Sequence, residues 1–248
     1  DLPTLPFIVD TMSEAIRRPA NHRYSQGIGT PEFREAAASY MLQGAPGTIR
    51  KQMTQFVGQQ SRVSLDTSGD PIKGAPNRPV QIVEFSDFFC PSCQRASKLN
   101  AVFLASHRQD VTLVFKQYPL DQACNSTMKR TVHPNACRIA AATECAHEQG
   151  KFWELHDLVF ANAPPYKVDD LMRDAQRVGL DAGKLQACLD SGRGLEAVIR
   201  DVQEGNRIGV TSTPTHVING LLIPGVLTPA ALEELLRALR DSGAVTGR

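Results

Sequence analysis

No stretch of this 248-residue chain comes near the roughly 20 consecutive apolar residues that a bilayer-spanning helix needs, so a helical membrane anchor is excluded from the sequence. An excess of charge of either sign is also missing. Lysine and arginine number 27 against 26 aspartates and glutamates, and no long basic run interrupts that balance, so no field is present to hold a polyanion. Nucleic acid is therefore not an expected partner. The chain opens at Asp1 with neither a start methionine nor a signal-peptide pattern, and removal of the original N-terminus is the expectation. There is no internal repeat and no low-complexity tract. What remains is a sequence with 42% hydrophobic residues, enough to bury the core of one large domain or of one domain with an appendage.

Cysteine, by contrast, is abundant. Cys90, Cys93, Cys124, Cys137, Cys145 and Cys188 form an even set of six, more than a cytosolic domain carries without metal or redox work. An extracytoplasmic, periplasmic or secreted setting is expected, although even cysteine counts speak most strongly in chains much shorter than this one.

Residues 1 to about 30 hold prolines, a Gly27-Ile28-Gly29 step and no sustained period, and read as loop with one helical stretch near Ile8 to Ile16. From Pro31 to about Gln60, Phe33, Ala37, Tyr40, Met41, Ile49, Met53, Phe56 and Val57 recur at steps of three and four, the mark of amphipathic helices broken at Gly44-Ala45-Pro46-Gly47. Their apolar face needs a partner, either the main domain or a second copy of the chain, so a homodimer through these helices is one expectation. Residues 1–65 are thus expected to form an N-terminal helical arm, and residues 66–78, rich in Gly, Pro, Asp and Ser, a linker.

Beyond the linker the pattern alternates. Val80, Ile82, Val83 and Phe85 suit a central strand, a helix follows from Cys90 to about Ser106, and Val111 to Phe115 supplies a second strand, together a βαβ unit. Between His133 and Arg207 the character is almost wholly helical, with segments at Cys137 to His147, Lys151 to Phe160, Val168 to Val178, Leu185 to Leu189 and Leu195 to Asn206. Short apolar runs then return at Thr215 to Ile218 and Leu221 to Ile223, joined by the hairpin signal Asn219-Gly220, before a last helix from about Pro229 to Leu239.

The cysteine pair at Cys90-Pro91-Ser92-Cys93 sits where a strand gives way to a helix. Free amide hydrogens and the positive end of the helix macrodipole at that point stabilise a Cys90 thiolate. Pro91 fits the first helical turn, where its missing N–H has no cost. Cys93 falls about one turn later on the same face, near enough to close a short disulfide ring, while Cys90 is expected to face outward toward another protein's sulfur. The alternatives are half of a zinc site and a structural staple. Zinc would want a second tight pair of Cys or His, which Cys124, His133 and Cys137 do not make. So short a loop hardly restricts the unfolded chain, which weakens the staple. Glu84, six residues before Cys90, is either on a solvated edge or buried below the dithiol, where it can take protons from Cys93. Pro214, in Gly209-Val210-Thr211-Ser212-Thr213-Pro214-Thr215, marks an edge, a bulge or a turn, with a cis bond open to it.

Three separated motifs in this order resemble the DsbA-like thioredoxin family: Val83-Glu84-Phe85-Ser86-Asp87-Phe88-Phe89-Cys90-Pro91-Ser92-Cys93, then Gln149-Gly150-Lys151-Phe152-Trp153 with His156-Asp157, then Gly209 to Pro214 ahead of Ile218-Asn219-Gly220. The resemblance covers about Pro79 to Leu239. It implies an α/β thioredoxin fold, residues 79–120 and 208–241, with an inserted helical domain at 121–207. It implies a Thr213-Pro214 cis peptide beside the dithiol, with the Thr213 backbone open to an extended substrate segment. It further implies a protein disulfide oxidoreductase without a cofactor or metal, acting on reduced or misfolded proteins. A cysteine cluster such as Cys124 to Cys137 is similar to that of members served by quinone-linked membrane enzymes of the vitamin K epoxide reductase type. Threonine before the proline, where the best-known oxidases have valine, leaves oxidase, isomerase and reductase all open, and a binding or chaperone module whose dithiol holds metal stands as the non-catalytic alternative. Separately, Asn21-His22-Arg23-Tyr24-Ser25-Gln26-Gly27 with Pro31-Glu32-Phe33-Arg34-Glu35-Ala36 resembles the N-terminal stretch of pyridoxal-phosphate aminotransferases, but nothing later supplies that family's cofactor lysine.

With Cys90 and Cys93 paired, the other four cysteines allow three pairings. Cys124 with Cys137 and Cys145 with Cys188 are preferred, as structural bonds of about 3 and about 4 kcal/mol on chain-entropy grounds. The alternatives are a relay dithiol that passes electrons from Cys90-Cys93 and, in a reducing compartment, buried free thiols. Among His133, His147, His156 and His216, only His216 falls near the chemistry, and it is assigned no role. Trp153 and Phe152 are expected in the core of the insert.

Overall fold

The alternation read at Val80 to Phe85 becomes the central strand of a five-stranded sheet in a computed structural model that describes residues 54–243 apart from 56, 77 and 163–167. The strands are β1 (Ile72–Lys73), β2 (Val80–Ser86), β3 (Val111–Gln117), β4 (Thr215–Ile218) and β5 (Leu221–Pro224), in the spatial order β1-β3-β2-β4-β5. β2 and β3 run parallel, with Val80 opposite Val111 and Ser86 opposite Gln117. Parallel neighbours need a crossover, and helix α1 (Pro91–Ser106) supplies it. β4 lies antiparallel on the other side of β2, pairing Glu84 with His216, and β5 returns through Asn219 and Gly220, whose φ values of 47° and 86° suit a tight hairpin turn.

Both faces of β2 are covered, which is why its sequence is nearly all apolar. Val80 and Ile82 pack with Phe103 and Leu104 of α1 and with Leu232, Leu235 and Leu236 of the last helix, α7 (Pro229–Asp241). Val83 and Phe85 face the opposite layer, with Ala140, Ala141, Val198 and Val202. That second layer comes from the inserted helical domain between β3 and β4: α2 (Ala136–His147), α3 (Phe152–Ala161), α4 (Leu171–Arg177), α5 (Ala182–Ser191) and α6 (Arg193–Ile208). The fold is thus a thioredoxin-type α/β sheet carrying a helical insertion.

Several boundaries differ from expectation for local reasons. β3 continues to Gln117, because Lys116 and Gln117 are buried with polar partners instead of ending the strand. α5 extends in both directions from the expected Leu185 to Leu189, because Asp181 caps it by accepting from the Lys184 amide at 2.9 Å and Gly192 ends it at φ 79°. The segment expected as a helix from Val168 begins with a tighter turn at Val168–Asp170. Part of the expected linker is an edge strand: β1 pairs with β3, and the Trp153 indole N–H donates to the Ile72 carbonyl at 2.7 Å. Lys116 holds Asp70 (2.7 Å), two residues before β1, together with Asp201 (3.0 Å) and Glu204 (2.9 Å) of α6. The expected N-terminal arm, the dimer contact assigned to it and the aminotransferase-like stretch lie outside the described residues, save for the arm's end, where Val57 is fully buried against the sheet core.

Two disulfides tie the insertion. Cys124 joins Cys137 at the start of α2, with Cα atoms 5.9 Å apart, and Cys145 of α2 joins Cys188 of α5, with Cα atoms 5.7 Å apart. Next to the second of these, α6 approaches α2 so closely that only glycine fits. A Cβ on Gly194 would meet the Ala141 carbonyl oxygen and stand 2.7 Å from Cys145 Sγ. Gly194→Ala is accordingly expected to destabilise the chain by about 3 kcal/mol through overpacking, read from the midpoint of urea unfolding; a loss below about 1 kcal/mol would show that the two helices can part.

Candidate active site

Cys90 is the residue at which β2's exit turn becomes α1. Its amide donates to the Asp87 carbonyl at 3.0 Å, its own carbonyl accepts from the Gln94 amide at 3.1 Å, and Pro91 follows in the first helical turn. Three residues on, Cys93 lies on the buried stripe of α1, with Ala96, Asn100, Phe103 and Leu104 at helical spacing behind it. Both sulfurs are free thiols. Cys93 is completely buried, and Cys90 is 7% exposed. The expectation that Cys90 faces freely outward is corrected here: Pro91 and Ser92 form the exposed part of the motif, and Cys90 is recessed among Phe88, Phe89 and Cys93. Its thiol donates to the Thr213 carbonyl at 3.5 Å, and Thr213-Pro214 is the one cis peptide among the described residues. The chain's return through β4 therefore brings Thr213 and Pro214 against a cysteine more than a hundred residues earlier in sequence.

The two sulfurs are electrostatically unlike. Hydrogen bonding from the Cys93 thiol lowers the Cys90 pKa to about 6, with Thr213 and the Cys93 amide adding to it, while burial and the Asp87 carboxylate push the other way. Cys93 moves well above the ordinary thiol range, because burial penalises its thiolate and because Cys90 and Glu84 would sit beside it as like charges. One sulfur is thus anionic near neutral pH and the other keeps its proton.

Glu84 is 2% exposed, on the same face of β2 as Val80 and Ile82, since side chains two apart share a face. Burial raises its pKa to about 7, against the opposing hydrogen bonds of Ser86 and Asn100. The Ser86 hydroxyl donates to one carboxylate oxygen at 2.9 Å and the Asn100 amide to the other at 2.7 Å. Asn100 Nδ2 also lies 3.4 Å from His216 Nε2, and His216 Nδ1 lies 3.1 Å from the Gly225 carbonyl. Full burial lowers the His216 pKa to about 4, so the ring is neutral. A carboxyl group that titrates near neutrality, close enough to Cys93 to raise its pKa, has the properties of a proton donor and acceptor for that thiol.

The structure therefore gathers Cys90, Cys93, Glu84, Thr213 and Pro214, while Cys124, Cys137, Cys145 and Cys188 are spent in the two disulfides of the insertion. His156 is buried by the aromatic cluster of Phe88, Phe115 and Phe160, and Trp153 flanks the same cluster. Ser86, Asn100 and Asp87 were given no role in the sequence reading, and His133, set aside there in favour of His216 as the histidine near the chemistry, in fact meets Asp87 beside the dithiol. Ser86 was within reach, since alternation puts it on the Glu84 face, and so was Asn100, two helical turns after Cys93. His133 was not, because its place depends on the path of an irregular loop. Among the described residues no cluster of three or more His, Cys, Asp or Glu side chains is arranged to hold a metal ion.

A family model described as Thioredoxin matches residues 66–238. Among solved structures, a thioredoxin-like oxidoreductase from Silicibacter pomeroyi superposes with a TM-score of 0.60 at 24% identity, covering 70% of this chain and 94% of that one. The thiol-disulfide exchange protein α-DsbA2 from Wolbachia pipientis gives 0.59 at 15% identity, covering 78% and 96%. A curated relative, the Na(+)/H(+) antiporter NhaA 3 of Salinispora tropica, is 35% identical over 158 residues, which is 64% of this chain and 23% of that protein. The chain spans about a quarter of the length of the curated relatives it matches.

Glu84 also gives the site a signature in stability. A carboxyl whose pKa rises from 4.5 to about 7 on folding binds its proton more tightly in the folded chain, so its contribution is complete below about pH 4.5 and is lost as pH rises through about 7. Glu84→Gln, which cannot ionise, is expected to make the reduced protein up to about 3 kcal/mol more stable than the parent at pH 8 and to give no such gain at pH 4, measured by urea unfolding at both values. Equal differences at the two pH values would show that Glu84 does not titrate in this range.

Proposed function

This chain belongs to the thioredoxin family and has the fold of its DsbA-like members, and we propose from that premise that it is a protein thiol-disulfide oxidoreductase working through Cys90 and Cys93 as a dithiol oxidase. The observation that carries the proposal is the unlike state of the two sulfurs, with Cys90 lowered to about 6 and Cys93 raised well above the ordinary value.

The cycle starts from the Cys90-Cys93 disulfide. A substrate thiolate attacks Cys90 Sγ, a new bond forms between the two proteins, and the bond to Cys93 breaks. Cys93 leaves as a thiolate and takes a proton, for which the Glu84 carboxyl is the available donor. A second substrate thiolate then attacks the substrate sulfur of the mixed disulfide and expels Cys90. The substrate gains a disulfide, and the pair holds two electrons as thiolate and thiol. A low pKa makes Cys90 a good leaving group, so the second step favours release of an oxidised substrate. Pro214 and the Thr213 backbone, beside Cys90, are the surface against which an extended substrate segment is placed.

Reduced proteins are the proposed substrates, and a quinone-linked membrane thiol oxidase of the vitamin K epoxide reductase type is the proposed electron acceptor. An extracytoplasmic location accords with the two further disulfides, which a reducing cytosol would not maintain. Ion transport is not part of the proposal: the dithiol is the chemistry these residues can perform, and the antiporters share only a segment of their length with the chain.

Equilibration with glutathione and transfer of disulfides to a reduced client protein test the assignment. The expected potential lies toward the oxidising end, nearer about −120 mV than about −270 mV, and Cys90→Ser should abolish client oxidation. A value near about −270 mV would make the protein a reductase instead, and transfer that persists in Cys90→Ser would remove the site altogether.

A further inference from the structure

We propose that His133 is a positioning residue for Cys90: its ring, when protonated, neutralises the Asp87 carboxylate buried three residues before Cys90, and so keeps the Cys90 thiolate favourable. The inference rests on Cys90 being the reacting thiol, and it adds a residue from a separate loop that controls that thiol without touching substrate.

Asp87 is 1% exposed and lies in the turn between β2 and α1. One carboxylate oxygen accepts from the Phe89 amide at 2.7 Å; the other accepts from the Leu120 amide at 2.7 Å and from His133 Nδ1 at 2.8 Å. The carboxylate is tied to the Cys90 turn, since the Cys90 amide donates to the Asp87 carbonyl at 3.0 Å. A charge so close and so buried acts against a second negative charge at Cys90, and it does raise the Cys90 pKa. His133 is the cation placed to offset it. The pairing with Asp87 raises the His133 pKa, and the negative charge at Cys90 raises it further, so the ionisations of His133 and Cys90 are linked.

The ring is held in place by backbone as well as by charge. Leu120, whose amide donates to Asp87, accepts at its carbonyl from the amides of both Val132 (2.8 Å) and His133 (3.1 Å). The loop that carries His133 is closed by the Cys124-Cys137 disulfide. A loop fixed at three points keeps Nδ1 on the carboxylate, whereas a merely exposed histidine would wander. The remaining ionisable groups around Cys90 do not duplicate this role. Glu84 on β2 is acidic, Cys93 on α1 is a thiol, and Asp121 at the head of the loop spends its carboxylate on the Ala123 amide and the Thr131 hydroxyl. His133 is a cation whose own pKa responds to the charge at Cys90.

Below the His133 pKa the pair is neutral and Cys90 ionises readily. Above it Asp87 stands uncompensated and the Cys90 thiolate becomes less favourable, as does the reduced form of the pair. Substituting the histidine should have the effect of high pH at every pH.

The test is the pH dependence of the iodoacetamide rate at Cys90, located by mass spectrometry in the reduced protein, in the parent chain and in His133→Gln and His133→Lys. His133→Gln should raise the Cys90 midpoint by about half a unit to one unit, slowing alkylation near the parent midpoint roughly two- to fivefold, and His133→Lys, which keeps a cation, should restore most of it. A purely structural role for His133 would leave the midpoint of folded His133→Gln where it was, and that result overturns the inference alone. A parent chain in which Cys90 titrates as an ordinary thiol would overturn the dithiol reading and the inference with it. As a reciprocal check, the NMR titration of the His133 ring should move to lower pH when Cys90 and Cys93 are oxidised and the thiolate is gone; an unmoved midpoint counts against the linkage.

Discussion

Everything in this structure that bears on function depends on two sulfurs three residues apart being solvated differently. The geometry that achieves it is small: a strand ends, a helix begins, and the first cysteine falls at the junction while the second falls on the buried stripe one turn later. Cys90 then receives a hydrogen bond from Cys93 and meets the Thr213 carbonyl, and Cys93 receives a hydrophobic wall and acidic neighbours. The rest of the fold brings those neighbours together. Parallel pairing of β2 with β3 requires the crossover helix that carries the dithiol, and antiparallel pairing of β2 with β4 delivers Thr213, Pro214 and His216 from the far end of the chain.

Buried polar groups are the cost of this arrangement, and nearly all of them have partners. Glu84 is held by Ser86 and Asn100, Asp87 by two backbone amides and a histidine, Lys116 by three carboxylates. These groups lie along β2, β3 and the loops that leave them, where the sheet's core meets the helical insertion. An apolar interior would be simpler to stabilise, but it would leave both thiols in the same environment. The disulfides fasten the insertion to itself, and the Cys124-Cys137 loop passes close enough to the dithiol to contribute a charge.

The sequence made the fold legible wherever a period or a turn residue dictated the outcome. The βαβ unit, the helical block and the Asn219-Gly220 hairpin follow from alternation, helical spacing and positive φ, and the structure places each within a few residues of its expected bounds. Boundaries moved where polar residues do structural work, as at Lys116 and Gln117 in β3 and at the capped ends of α5. The edge strand β1 was hidden in a stretch whose Gly and Pro content reads as linker, since two residues of pairing leave no periodic trace. At the site, Cys90 and Cys93 were visible from their spacing, Glu84 from its place six residues before Cys90, and Thr213-Pro214 only through the family resemblance. The recessed setting of Cys90 was not, because helix position says which way a residue points but not what the returning chain lays over it. The Asp87-His133 pair was invisible for the same reason: 46 residues separate its members, and an irregular loop decides whether they meet.

The central claim is best tested by following the ultraviolet absorbance of thiolates in the reduced protein across a pH titration from about 4 to about 9. The account predicts a single thiolate appearing with a midpoint near 6, lost in Cys90→Ser, and no second thiolate within that range. Two thiolates appearing together at the ordinary cysteine value would contradict it.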